Sequence, residues 1–311
     1  MLCRLQGPRP ANFPKIKRLL ITFTAFVLEI MVPSQCGLSA AELEVDNLRG
    51  SDLQTRENNG QTRTAYLTIQ RAIDHASIGD TIRIRNTSKP YRECVSINSN
   101  HQLGTTIYPL IIEGSGATLD GSKPLGTLDW HALGKDLFEL KARSPGYIRL
   151  LAESDQPVPE NLGKVVDLAE LKPLQYGRIN GSIFFCAKPG EVPQSYGLRG
   201  SVEQTGITLY DTSNIVIRDL KVVGYRLDGI NCHDLVNNVR FENIVAAENG
   251  RSGFSIGGAS KVIIKGGELR GNGESQIRSE GQSETELVGV KIEAGKTKAI
   301  DQSSGRVFES R

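Results

Sequence analysis

Six residues between Tyr210 and Asp234 carry groups able to do acid–base chemistry or bind a polar substrate: Tyr210, Asp211, Asp228, Asn231, His233 and Asp234. Arg278 and Glu280 stand two apart further on, and Trp130 with His131 precede them. Two carboxylates held about 5 Å apart can serve as nucleophile and acid in glycoside hydrolysis, and Asp211 and Asp234 are the first such pair. β-Elimination from a uronate instead needs a base for the C5 proton and a cation to neutralise the carboxylate; His233 or Tyr210 could be the base and Arg278 the cation. Asp211 and Asp234 could also hold Ca²⁺, which takes several oxygen ligands. The plainer readings are that an Asp at a strand end bonds the backbone, and that Arg278 and Glu280 form a solvated pair. Trp130 and His131 offer stacking and hydrogen bonding to a sugar, although a single Trp also suits a core.

What could bring these residues together is a repeat. "SNIVIRDLKVVGYRLDGI" and "NNVRFENIVAAENGRSGF" spell the same apolar rhythm. Taking Ile207, Ile230, Phe254, Ile277 and Ile300 as equivalent gives steps of 23, 24, 23 and 23 residues. Two more apolar clusters recur in each unit, so three short strands per repeat are predicted. Such a unit has unpaired edges and half a core, and stacking at about 4.8 Å per rung resolves both. The expectation is three parallel sheets wound into a right-handed solenoid. Asp219, Asn243, Gly266 and Gly289 fall in the two-residue link between second and third strands, where left-handed backbone angles are tolerated. Alternation then points residues one and three after each anchor outward: Thr208, Asn231, Ser255, Arg278, Asp301, and Tyr210, His233, Gly257, Glu280, Ser303.

The rest of the chain frames this array. Residues 1–41 read as an export signal, with Lys15, Lys17 and Arg18 before "LLITFTAFVLEIMV" and Ser39-Ala40-Ala41 at the cleavage site. That predicts a secreted or periplasmic protein with no membrane segment after cleavage. Residues 42–64 are polar and read as a linker. In 65–116, Ile69, Ala72, Ile73 and Ala76 make one face of a short capping helix ahead of the first strands. Residues 117–202 break the rhythm and read as inserted antiparallel β elements beside the patch. The rungs fill 203–301, and 302–311 are a polar tail too short to cover three sheet edges, which predicts self-association through the C-terminal edge. The 37 basic and 35 acidic residues nearly balance, which argues against a nucleic-acid partner, and the sparse cysteines argue against a disulfide scaffold.

The stretch "LTIQRAIDHASIGDTIRI", the strand "PYRECVSI" and the rungs "NIVIRDLKVV…LDGI" and "NVRFENIVAA…RSGF" resemble the pectate-lyase-like right-handed parallel β-helix superfamily, over about 65–116 and 203–301. The resemblance implies an all-β, three-sheet solenoid with a polysaccharide along one outer face; the insert is similar to that of β-xylosidase-like members. Asp228 resembles the Asp of the polygalacturonase "NTDG" motif. Arg226-Leu227 replace its Asn and Thr, however, and neither "GHG", "RIK" nor the pectate-lyase "RxPxxR" is present. The expectation is a polysaccharide-active protein, hydrolase ahead of lyase, with a non-enzymatic carbohydrate-binding scaffold as the rival class.

Overall fold

The computed structural model describes residues 40–55, 65–98, 103–140, 148–152 and 156–310, within one compact unit, Leu38–Arg311. The signal segment therefore lies outside the described residues, except for Ala40 and Ala41. Among the described residues no helix is long and apolar enough to cross a membrane.

The rungs form as the period requires. Among the described residues five complete rungs each contribute one short strand to each of three parallel sheets. The anchor sheet stacks Val95–Asn98, Ile207–Tyr210, Asp228–His233, Ser252–Ile256, Ser275–Ser279 and Lys298–Gln302. Within it Ile207, Ile230, Phe254, Ile277 and Ile300 pair in register. The first four are at most 3% exposed. Burying each such side chain contributes about 1.5–3 kcal/mol, and Phe254 also packs edge-on against Phe241 at 5.1 Å. The middle sheet has eight strands and the third sheet five. Between them Asp219, Asn243, Gly266 and Gly289 all adopt positive φ, from 53° to 62°, as the spacing predicts.

A second internal column is polar. Asn249 and Asn272, fully buried where the chain turns from the third sheet into the anchor sheet, bond rung to rung. Asn272 Oδ1 accepts from the Asn249 backbone and side-chain amides, each at 3.0 Å, while its Nδ2 donates to Ala246 O and Gln276 Oε1. The amides satisfy backbone groups that a turn inside an apolar coil would otherwise strand.

The N-terminal end is closed by a helix, Ile69–His75, with Ile69, Ala72 and Ile73 buried on the coil. Thr68 caps it, and the Glu93 carboxylate accepts from the Ile69 and Gln70 amides at 2.9 and 3.1 Å.

Several boundaries differ from those read in the sequence. Glu42–Val45, placed in the linker, is a strand of the middle sheet paired with Thr81–Ile84, with Leu43 and Val45 buried; its pattern is too short to outweigh its polar surroundings. Thr118–Asp120 belongs to the third sheet and not to the insert. In the tail, Arg306–Ser310 pairs with Glu284–Val288 as the eighth middle-sheet strand, so the tail extends that sheet and forms its last strand.

The insert holds a five-stranded sheet and a three-stranded sheet. It is antiparallel as expected except where Glu160–Lys164 runs parallel to Gln175–Ile179. Trp130, Tyr176, Phe185 and Tyr196 fill its own core.

Candidate functional site

The outer face of the anchor sheet carries both predicted columns. Thr208, Asn231, Ser255, Arg278 and Asp301 pair in sequence along one, and Tyr210 pairs with His233 in the other. Leu209, Cys232 and Ile256, one residue out of phase, are fully buried, so alternation turns the two columns outward.

Three groups converge at the ends of the second and third anchor strands. The Tyr210 and His233 rings stack at 6.1 Å with an interplanar angle of 17°. His233 Nδ1 lies 2.7 Å from Asp234 Oδ1, and the side chains are 56% and 42% exposed. The same carboxylate accepts the Tyr210 hydroxyl, which raises the Tyr210 pKa above its ordinary value. Asp211 occupies the equivalent turn one rung back. Both aspartates have positive φ, 46° and 63°, and Gly258 and Gly281 continue that conformation in the next rungs. The turn therefore explains why Asp is tolerated at these two positions. It does not by itself require the carboxylates.

Further along, Arg278 is bound by the Glu280 carboxylate and lies 3.9 Å from Asp301. The Arg278 hydrogen bond lowers the Glu280 pKa, and Lys298, 2.6 Å from Asp301, does the same there. Arg278 is thus already neutralised. Its Nε is buried without a hydrogen-bond partner among the described residues.

Three sequence assignments are corrected by placement. Asp228 is fully buried; Arg251 Nε donates to it at 3.0 Å, and Arg251 Nη2 and Ser252 Oγ also donate. Its parity is that of Ile230 and Cys232, hence inward, and its carboxylate is spent on an internal ion pair. Trp130 is 7% exposed and packs on Phe185 inside the insert, so it offers no stacking face. His131 is exposed but stands in the insert sheet opposite Glu139, not in the anchor-sheet columns. Asn231 is half-buried in the outward column.

The insert docks beside the beginnings of the anchor strands, at the other end from this cluster. Arg149 reaches Glu248 at 2.6 Å and Lys296 reaches Glu160 at 2.6 Å. A cleft of about 180 Å³ opens there, against Gly250, Gly273 and Glu274. These residues precede the anchor strands, whereas Tyr210, His233 and Asp234 end them.

Asp234 meets the Tyr210 hydroxyl and the His233 ring, and among the described residues no three His, Cys, Asp or Glu side chains gather as metal ligands.

No known protein family matches the chain, and no curated protein matches it. Among solved structures it is similar to XylC in complex with xylose, at 12% identity and a TM-score of 0.51, covering 86% of this chain and 63% of that one. It is also similar to a glycoside hydrolase, at 11% identity and a TM-score of 0.48, covering 87% and 78%. Pectate lyase Pel9A matches at 12% identity and a TM-score of 0.32, covering 81% and 63%. The chain spans less than two thirds of the XylC chain, and the likeness to it is one of fold.

Proposed function

We propose that the anchor-sheet face binds a polysaccharide and that the protein, acting outside the cytoplasm, hydrolyses it. The observation that carries this reading is the exposed Tyr210–His233–Asp234 network, an aromatic face beside an oriented imidazole and carboxylate on an open surface. Asp211 and Asp234 are one rung apart, about 4.8 Å by strand spacing, close to the roughly 5–5.5 Å of a retaining carboxylate pair. In that role Asp234, oriented by two donors, attacks the anomeric carbon while Asp211 protonates the departing oxygen. Asp211, now a carboxylate, then takes a proton from the water that opens the glycosyl ester and restores Asp234. The lyase alternative would need the Arg278 guanidinium to meet a substrate carboxylate, yet Glu280 and Asp301 already occupy it.

A second reading, glycan binding without bond cleavage, is favoured by the turn geometry that Asp211 and Asp234 share with Gly258 and Gly281. A glycan panel assayed for reducing ends and for the absorbance of unsaturated uronates separates the three. New reducing ends without absorbance, lost at least about 100-fold in Asp211→Asn and Asp234→Asn, support hydrolysis. Absorbance identifies a lyase. Binding that survives both substitutions, with no cleavage by the wild type, identifies the scaffold.

A further inference from the structure

Between His233 and Glu280 the outward column is interrupted by Gly257. A Cβ built there would meet nothing within 4 Å, and its φ is outside the left-handed range. Neither packing nor backbone conformation demands glycine at this position. Its neighbours differ: a Cβ at Gly253 would strike Gln276 O at 2.8 Å, and Gly258 has a φ of 63°. The other outward residue of the same rung, Ser255, is small and 6% exposed.

The rung Ser252–Ile256 thus lies lower than the rungs on either side. Asn231 and His233 rise along one side, Arg278 and Glu280 along the other, two strand spacings or about 9.6 Å apart by backbone. The floor is polar. Ser255 points outward between the fully buried Phe254 and Ile256 and is itself only 6% exposed, and its hydroxyl has no hydrogen bond to a described residue. A hydroxyl without a protein partner at this depth favours a ligand that supplies hydroxyls of its own.

Charge narrows the ligand class. Four carboxylates, Asp211, Asp234, Glu280 and Asp301, face Arg278 and Lys298 across this stretch, and Arg251 beside Glu280 is already paired with Asp228. A uronate would enter an already negative field.

We infer that the trough floored by Ser255 and Gly257 is a subsite for one neutral sugar ring, one of its hydroxyls meeting Ser255 Oγ, and that it selects neutral glycans over polyuronates. The inference rests on the proposed reading of the anchor-sheet face as the glycan-binding surface. Its test is isothermal titration of the wild type, Gly257→Val and Tyr210→Ala with neutral pentose and hexose trisaccharides and with trigalacturonate, alongside thermal melts. The expected result is that a neutral trisaccharide binds the wild type and that Gly257→Val weakens binding at least about tenfold with an unchanged melting temperature. Trigalacturonate is expected to bind at least about tenfold more weakly at low salt, with the gap narrowing as salt screens the carboxylates. Undiminished binding by Gly257→Val, with loss in Tyr210→Ala, overturns the subsite and leaves the face. Preference for trigalacturonate overturns the selectivity. No binding of any trisaccharide to the wild type overturns both.

Discussion

Replacing Asp228 with Asn separates a structural carboxylate from a catalytic one. The carboxylate is fully buried and holds two donors of Arg251 and the Ser252 hydroxyl. Asn keeps the shape but removes the charge, and its amide turns a donor toward the guanidinium. Breaking one side of a buried pair costs about 3–5 kcal/mol. Arg251 is 24% exposed and can partly rehydrate, which places the loss near the lower end, about 3 kcal/mol. For a chain of this size that is a fall of about 5 °C in melting temperature. Circular dichroism melts measure it, and glycan binding or hydrolysis below the transition should match the wild type. An unchanged melt together with abolished binding or hydrolysis would refute the reasoning and return Asp228 to the substrate.

Two further outcomes follow from the interior and from the ion pairs. Asn272→Leu should lower stability by about 3–5 kcal/mol, because it removes at once the acceptor of the Asn249 backbone and side-chain amides and the donor to Ala246 O and Gln276 Oε1; a urea midpoint that does not move would count against the ladder. Glu280 and Asp301 have pKa values held below their ordinary 4.5 and 3.8 by Arg278 and Lys298, so their contribution is present above those values and is lost as pH falls through the lowered ones. The effect is small and salt-screened, since Glu280 is 42% exposed, and Arg278→Gln should flatten the acid side of the melting-temperature profile.

The solenoid was legible because its signal is repeated: five anchors 23 or 24 residues apart average out the ambiguity of any single four-residue strand. The outward columns followed from alternation alone. The same parity, applied to Asp228 two residues before Ile230, points it inward; the motif likeness of "LDGI" obscured that. The amide ladder left no hydrophobic signature, because Asn249 and Asn272 are inward-facing polar residues at a turn, where sequence reading expects solvent-exposed loops. The strands Glu42–Val45 and Arg306–Ser310 are defined by pairing with remote partners, which four or five residues do not reveal locally. The Tyr210–His233 stack was implied by the register, but the sharing of Asp234 between them depends on rotamers and had no sequence counterpart.

The insert leaves the sheets it interrupts continuous. Val95 pairs directly with Ile207, and Leu119 with Val222, as though the intervening segment were absent. Because loop-closure entropy grows only with the logarithm of length, lengthening this connection from one repeat to more than a hundred residues costs about 1.4 kcal/mol. The corner after Asp120 is therefore a splice point. A lineage could exchange or lose whatever sits there without retuning the register of the rungs, and the surface beside the coil could diversify while the coil itself stayed the same.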